Sequence, residues 1–145
     1  MKNQFLLITL SILVISSCAS TATETQNKTE TQSEVSSPEA NIAKDISIEE
    51  YKGMISDNSI ILDVRTPEEF AQGHLEGAVN INFFDENFID QVSALNKSKA
   101  LLIHCAAGGR SAKAMNSLKG KGFTKLYNML GGYNAWISAG YPVVK

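Results

Sequence analysis

Cysteine is scarce in this chain: Cys18 and Cys105 are the only two in 145 residues, beside two histidines, His74 and His104. Two cysteines give no disulfide framework, and with two histidines in no tight cluster they leave too few ligands for a structural zinc site. Charge of one sign is equally sparse. The net charge is -2, with Lys and Arg scattered among Asp and Glu, so the basic stripe that nucleic acid requires is missing. Nothing after Cys18 approaches the run of roughly 20 apolar residues that crosses a bilayer. No internal repeat is visible.

The N-terminus is the first positive feature. Lys2 precedes residues 5–15, an apolar run broken only by Thr9 and Ser11, and Ser16-Ser17-Cys18 closes it. The run is too short to span a membrane and reads as a secretion signal. Its ending resembles the lipobox of bacterial lipoproteins. That resemblance implies a signal peptide over residues 1–17, cleavage before a lipid-modified Cys18, and an exported protein of the cell envelope or periplasm held to a membrane by its lipid alone. Ala19 and Ser20 lack the aspartate that commonly retains lipoproteins at an inner membrane, which favours the outer one if the host has it. Residues 18–41, mostly Ser, Thr, Glu, Gln and Asn, read as a flexible linker with too little apolar surface to offset ordering entropy. Residues 42–145 then form one domain of ordinary size.

Within that domain, short apolar runs alternate with capped helical segments, the pattern of a mostly parallel α/β fold. Ser47-Ile48-Glu49-Glu50 is a capping box, and its helix is expected to carry Tyr51 and Ile55 to the sheet. A buried strand follows over residues 59–64. Thr66-Pro67-Glu68-Glu69 repeats the device, with Pro67 at the first helical position. Residues 78–81 read as a short strand, and Phe88, Val92 and Leu95 recur at helical spacing. Residues 100–104 form the next strand, residues 111–118 a helix, and residues 125–129 a further strand. Gly131-Gly132 turns into a last helix over residues 133–139, whose Trp136 and Ile137 are expected to pack on the sheet. The expected architecture is one α/β domain, an about five-stranded, mostly parallel sheet with helices on both faces.

The most informative segment is Leu101-Leu102-Ile103-His104-Cys105-Ala106-Ala107-Gly108-Gly109-Arg110-Ser111. An apolar strand runs into a cysteine, at the carboxyl end where open α/β sheets place their ligands. A small-residue loop then leads to a helix start, so backbone amides and the positive helix end can gather around one thiolate. Gly108 and Gly109 permit a sharp curl. Ala106 and Ala107 are small enough to leave the mouth open. Arg110 can present its fork to an anionic donor, and Ser111 can donate to the sulfur or cap the helix. Strand alternation turns His104 away from Cys105, against a role as general base.

Ile61-Leu62-Asp63-Val64-Arg65-Thr66-Pro67-Glu68-Glu69-Phe70, Gly73-His74-Leu75-Glu76-Gly77-Ala78-Val79-Asn80-Ile81, the Cys105 loop, Leu130-Gly131-Gly132-Tyr133-Asn134-Ala135-Trp136 and Gly140-Tyr141-Pro142-Val143 together resemble the rhodanese (sulfurtransferase) family, in the right order and across the whole domain. The resemblance implies a persulfide carried on Cys105, with Ala106, Ala107, Gly108, Gly109, Arg110 and Ser111 as the substrate-binding loop. Asp63 and Arg65, the strand-end Asp-x-Arg, are read as supporting residues that brace loops, and His74 as fixing a turn. The expected reaction moves a sulfane sulfur from thiosulfate, or a similar small anionic donor, to cyanide, a small thiol or a redox protein. It needs no metal, nucleotide or organic cofactor, and a monomer is expected. A binding or persulfide-relay module is the alternative, weakened by retention of Cys105. Cysteine phosphatases and arsenate reductases place arginine six positions after the cysteine, whereas Arg110 is five positions on, a tighter ring suited to one sulfur atom.

Overall fold

The computed structural model describes residues 41–145; Cys18 and the expected signal peptide and linker lie outside the described residues. Elements follow in the order β1 (Ile42–Ile46), α1 (Ile48–Gly53), β2 (Ser59–Asp63), α2 (Pro67–Ala71), β3 (Val79–Asn80), α3 (Phe88–Ser93), β4 (Ala100–His104), α4 (Gly109–Leu118), β5 (Lys125–Met129) and α5 (Gly132–Ser138). The sheet has five strands in the order β1-β5-β4-β2-β3, and every pairing is parallel. No helix among the described residues is long and apolar enough to cross a membrane.

β4 sits at the centre, and its Leu101, Leu102 and Ile103 are wholly buried, as a strand covered on both faces requires. Alternation sorts the core into two clusters. Leu62, Leu101 and Ile103 meet Phe88 and Val92 of α3 and Ala114, Met115 and Leu118 of α4. Ile61, Leu102 and Tyr127 meet Tyr51 of α1 and Trp136 of α5. Helices therefore cover both faces. The two capping boxes form: the Ser47 hydroxyl accepts from the Glu50 amide while Glu50 accepts from the Ser47 amide, and Thr66 and Glu69 do the same at α2.

β1 is a strand that the hydrophobic pattern did not reveal. Ile-Ala-Lys-Asp-Ile is mostly exposed and lies at a sheet edge, where charged side chains discourage further pairing and blur the apolar run. Two expected core residues are displaced. Ile55 is 39% exposed because α1 ends at Gly53. Ile137 is 46% exposed, since adjacent helical residues point about 100° apart and Trp136 takes the inward position against Tyr51.

Candidate active site

Cys105 follows β4 directly and sits at the carboxyl ends of the central strands. Gly108 takes a left-handed conformation, φ 94°, and caps α4. This bends the loop back so that the Gly108 amide donates to Cys105 Sγ at 3.1 Å. The Ser111 hydroxyl lies 3.5 Å from the same sulfur and 3.1 Å from the Gly108 carbonyl oxygen. One hydroxyl has one proton. The Gly108 carbonyl also accepts from the Ala112 amide at 3.0 Å, so turning the Ser111 hydroxyl to a thiolate leaves that carbonyl paired.

Burial opposes charge on Cys105, but the Ser111 hydroxyl and the amides of Ser111, Ala107 and Gly108 outweigh it, and the thiol pKa is held below its ordinary value. A lowered pKa is what converts a cysteine into a nucleophile at neutral pH. The mouth is narrower than small side chains suggested: Cys105 is only 2% exposed, because the loop folds over its own sulfur and α5 packs against the loop.

That packing explains why the amides face inward. The Cys105 carbonyl accepts from the Tyr133 amide at 2.8 Å, and the Ala106 carbonyl from the Asn134 amide at 2.9 Å. With its carbonyls turned toward the start of α5, the loop presents its N–H groups to the sulfur. Gly132 makes the approach possible. Its φ is +56°, and a Cβ there would collide with the Cys105 carbonyl oxygen and lie 2.9 Å from both the carbon and the oxygen of the Ala106 carbonyl.

Arg110 is near the loop but is not an unoccupied fork. Its Nη1 and Nη2 donate to Glu69 Oε2 and Oε1, each at 2.7 Å, with the exposed Phe84 ring 5.9 Å away. The bonds from Arg110 pull the Glu69 carboxyl down to about 2. Glu69 is the residue that sequence reasoning missed: its position at the third residue of a capping box gave it a complete local role and hid its second partner.

Asp63 and Arg65 form a buried pair. Arg65 Nη2 donates to Asp63 Oδ2 at 2.6 Å and to the Gly73 carbonyl at 2.8 Å, and its guanidinium lies 4.0 Å from the Tyr133 ring centre. One side chain thus ties the end of β2 to the turn after α2 and to α5. Asn80 was not anticipated: its amide donates to the carbonyls of Asp63 and Arg65. His74 Nδ1 lies 3.1 Å from the Phe70 carbonyl, and its ring stacks on Phe70. His104 points to the opposite face from Cys105, edge-on to Tyr51. Among the described residues, no three His, Cys, Asp or Glu side chains gather to hold a metal ion.

Fold and site together define a parallel α/β domain that holds one activated cysteine in a loop of amides. The chain belongs to the family of rhodanese-like domains, whose match covers residues 47–139. It is 42% identical to thiosulfate sulfurtransferase 16, chloroplastic, of Arabidopsis thaliana over 91 residues, 56% of this chain and 76% of that protein. It is 35% identical to thiosulfate sulfurtransferase 18 of the same plant over 124 residues, 77% of this chain and 91% of that one. Among solved structures, a rhodanese-related protein from Thermoplasma volcanium superposes with a TM-score of 0.62 at 31% identity, covering 70% of this chain and 97% of the other.

These relatives correct the reading of an exported, membrane-anchored lipoprotein with Cys18 as its anchor. Relatives of this chain are named as chloroplastic and mitochondrial proteins, not as lipoproteins of a cell envelope. The physical reason for the error is the low information in the pattern. A short apolar run with one lysine before it and Ser-Ser-Cys after it constrains few positions, whereas the domain's motifs constrain many in a fixed order.

Proposed function

We propose that the chain is a sulfurtransferase that carries a sulfane sulfur on Cys105 between a small anionic donor and a thiophilic acceptor. The observation that carries this reading is the sulfur itself, held by the Gly108 amide at 3.1 Å beside the Ser111 hydroxyl at 3.5 Å. In the first step the Cys105 thiolate attacks the outer sulfur of thiosulfate. A Cys105 sulfur–sulfur bond forms, the donor's sulfur–sulfur bond breaks, and sulfite leaves with the electron pair. In the second, cyanide or a thiol attacks the terminal sulfur and the Cys105 thiolate departs. The inward amides of the loop stabilise the anion before and after each transfer. Asp63 and Arg65 hold the loop's surroundings.

Intact-mass spectrometry of the full chain, before and after thiosulfate and beside Cys105→Ser, tests the proposal. One sulfur atom gained by the wild type alone, and lost again to cyanide, is the expected result. A folded, reduced protein that gains none refutes thiosulfate as donor and turns attention to a binding or relay role.

A further inference from the structure

The Glu69–Arg110 pair stands beside Cys105, with Arg110 close enough to interact with its sulfur, and the two-pronged face of the guanidinium is already occupied. Nη1 and Nη2 of Arg110 each donate to one carboxylate at 2.7 Å. That carboxylate is held from behind as well, since Glu69 Oε2 accepts from the Thr66 amide at 3.0 Å and the Glu69 amide donates to the Thr66 hydroxyl at 3.3 Å. The pair is only partly exposed, 22% for the Arg110 side chain and 35% for Glu69. Arg110 and Glu69 cancel in charge, so the Cys105 thiolate leaves the site net negative.

From this arrangement we infer that Glu69 determines which donor charge the site accepts, by competing with the donor for Arg110. The inference rests on the sulfurtransferase reading above. The two-pronged face of Arg110 is given to a carboxylate that the helix cap holds in place, so an anionic donor gains that face only by displacing Glu69. At the remaining N–H groups it meets a guanidinium whose charge is already neutralised. A dianion loses most from the retained negative charge, and a monoanion loses less. Both can deliver the same sulfur: thiosulfate leaves as sulfite, methanethiosulfonate as methanesulfinate, each taking the electron pair of the broken sulfur–sulfur bond while Cys105 becomes a persulfide.

The test compares the full chain with Glu69→Gln, using thiosulfate and methanethiosulfonate as donors and cyanide as acceptor. Glutamine suits the third position of a capping box, so the variant removes the charge and keeps an acceptor for the Thr66 amide. The expected result is a KM for thiosulfate lowered about fivefold, the size of a partly exposed ion pair, with a smaller fall for methanethiosulfonate and little change in kcat. In an Arg110→Gln background, Glu69→Gln is expected to leave the ratio of the two KM values unchanged. Should Glu69→Gln fail to fold, Glu69→Asp draws the carboxylate back by one methylene and reads the same ratio. A KM for thiosulfate that rises overturns the inference, because Glu69 would then be orienting Arg110 for the donor. An equal change for both donors overturns it too. A wild-type chain that takes sulfur from neither donor overturns the sulfurtransferase reading itself.

Discussion

Replacing Gly132 with alanine puts one methyl group where the backbone of the cysteine loop already stands. The new Cβ would meet the Cys105 carbonyl oxygen and lie 2.9 Å from the Ala106 carbonyl, and neither is the tip of a side chain that can swing aside. Holding alanine in the left-handed region costs about 1 kcal/mol. Moving the loop away loses the Tyr133-to-Cys105 and Asn134-to-Ala106 hydrogen bonds, about 1 kcal/mol each. The sum, about 3 kcal/mol, lowers the melting temperature of a domain this size by about 12–24 °C. Alkylation of Cys105 by iodoacetamide should slow in parallel, because the same displacement turns the amides off the sulfur. Gly109→Ala is the matched control in the same loop, since a Cβ there meets nothing within 4 Å and its φ is not positive. Differential scanning calorimetry and alkylation rates on both variants decide the matter. If Gly132→Ala melts within a degree or two of the wild type and keeps its alkylation rate, α5 does not hold the loop.

Ser111→Ala removes a hydroxyl that favours the thiolate, so the midpoint of the alkylation profile should move to higher pH and the rate below it fall about fivefold, for a hydrogen bond of about 1 kcal/mol. Asp63→Ala leaves the Arg65 guanidinium buried without its carboxylate and is expected to cost about 3–5 kcal/mol in urea denaturation, part of which a further Arg65→Met should restore. His104 is held to about 4, below its ordinary 6.5, first by burial, so the fold keeps it neutral while the unfolded chain takes up a proton. Stability is therefore expected to fall as pH drops from about 6.5 toward 4, and the His104→Leu variant should show a flatter urea midpoint over that window. Glu69, also depressed, contributes with the same sign lower down: its share is full above the ordinary carboxylate range and lost as pH falls toward about 2.

How far the sequence could be read varies by the kind of signal. The buried strands were legible because β2 and β4 are continuous apolar runs, and the starts of α1 and α2 because capping boxes declare themselves at a fixed spacing. β1 was not, since an edge strand needs no continuous apolar run and charged residues there serve a purpose of their own. The small residues around Cys105 pointed to a curled loop, but not to how closely it wraps the sulfur, because the closing element is α5, more than twenty residues away in sequence. Gly132 reads as a turn residue; that its missing Cβ makes room for the Cys105 carbonyl is a tertiary fact. Glu69 is the clearest case, where a sufficient local explanation concealed a long-range partner.

The separation of the motifs along the chain follows from what an anion-stabilising loop requires. A loop's amides can face a thiolate only if its carbonyls face something else, and buried carbonyls need donors. The first turn of a helix has amides without intrahelical partners, so α5 supplies what the loop's carbonyls lack and the loop supplies what α5's amides lack. Arg65 then lies 4.0 Å from the Tyr133 ring centre, steadying the same helix from the β2 side. The activated cysteine thus depends on contacts to residues before and after it in sequence, and a change at either end should be read at the sulfur even where no side chain touches it.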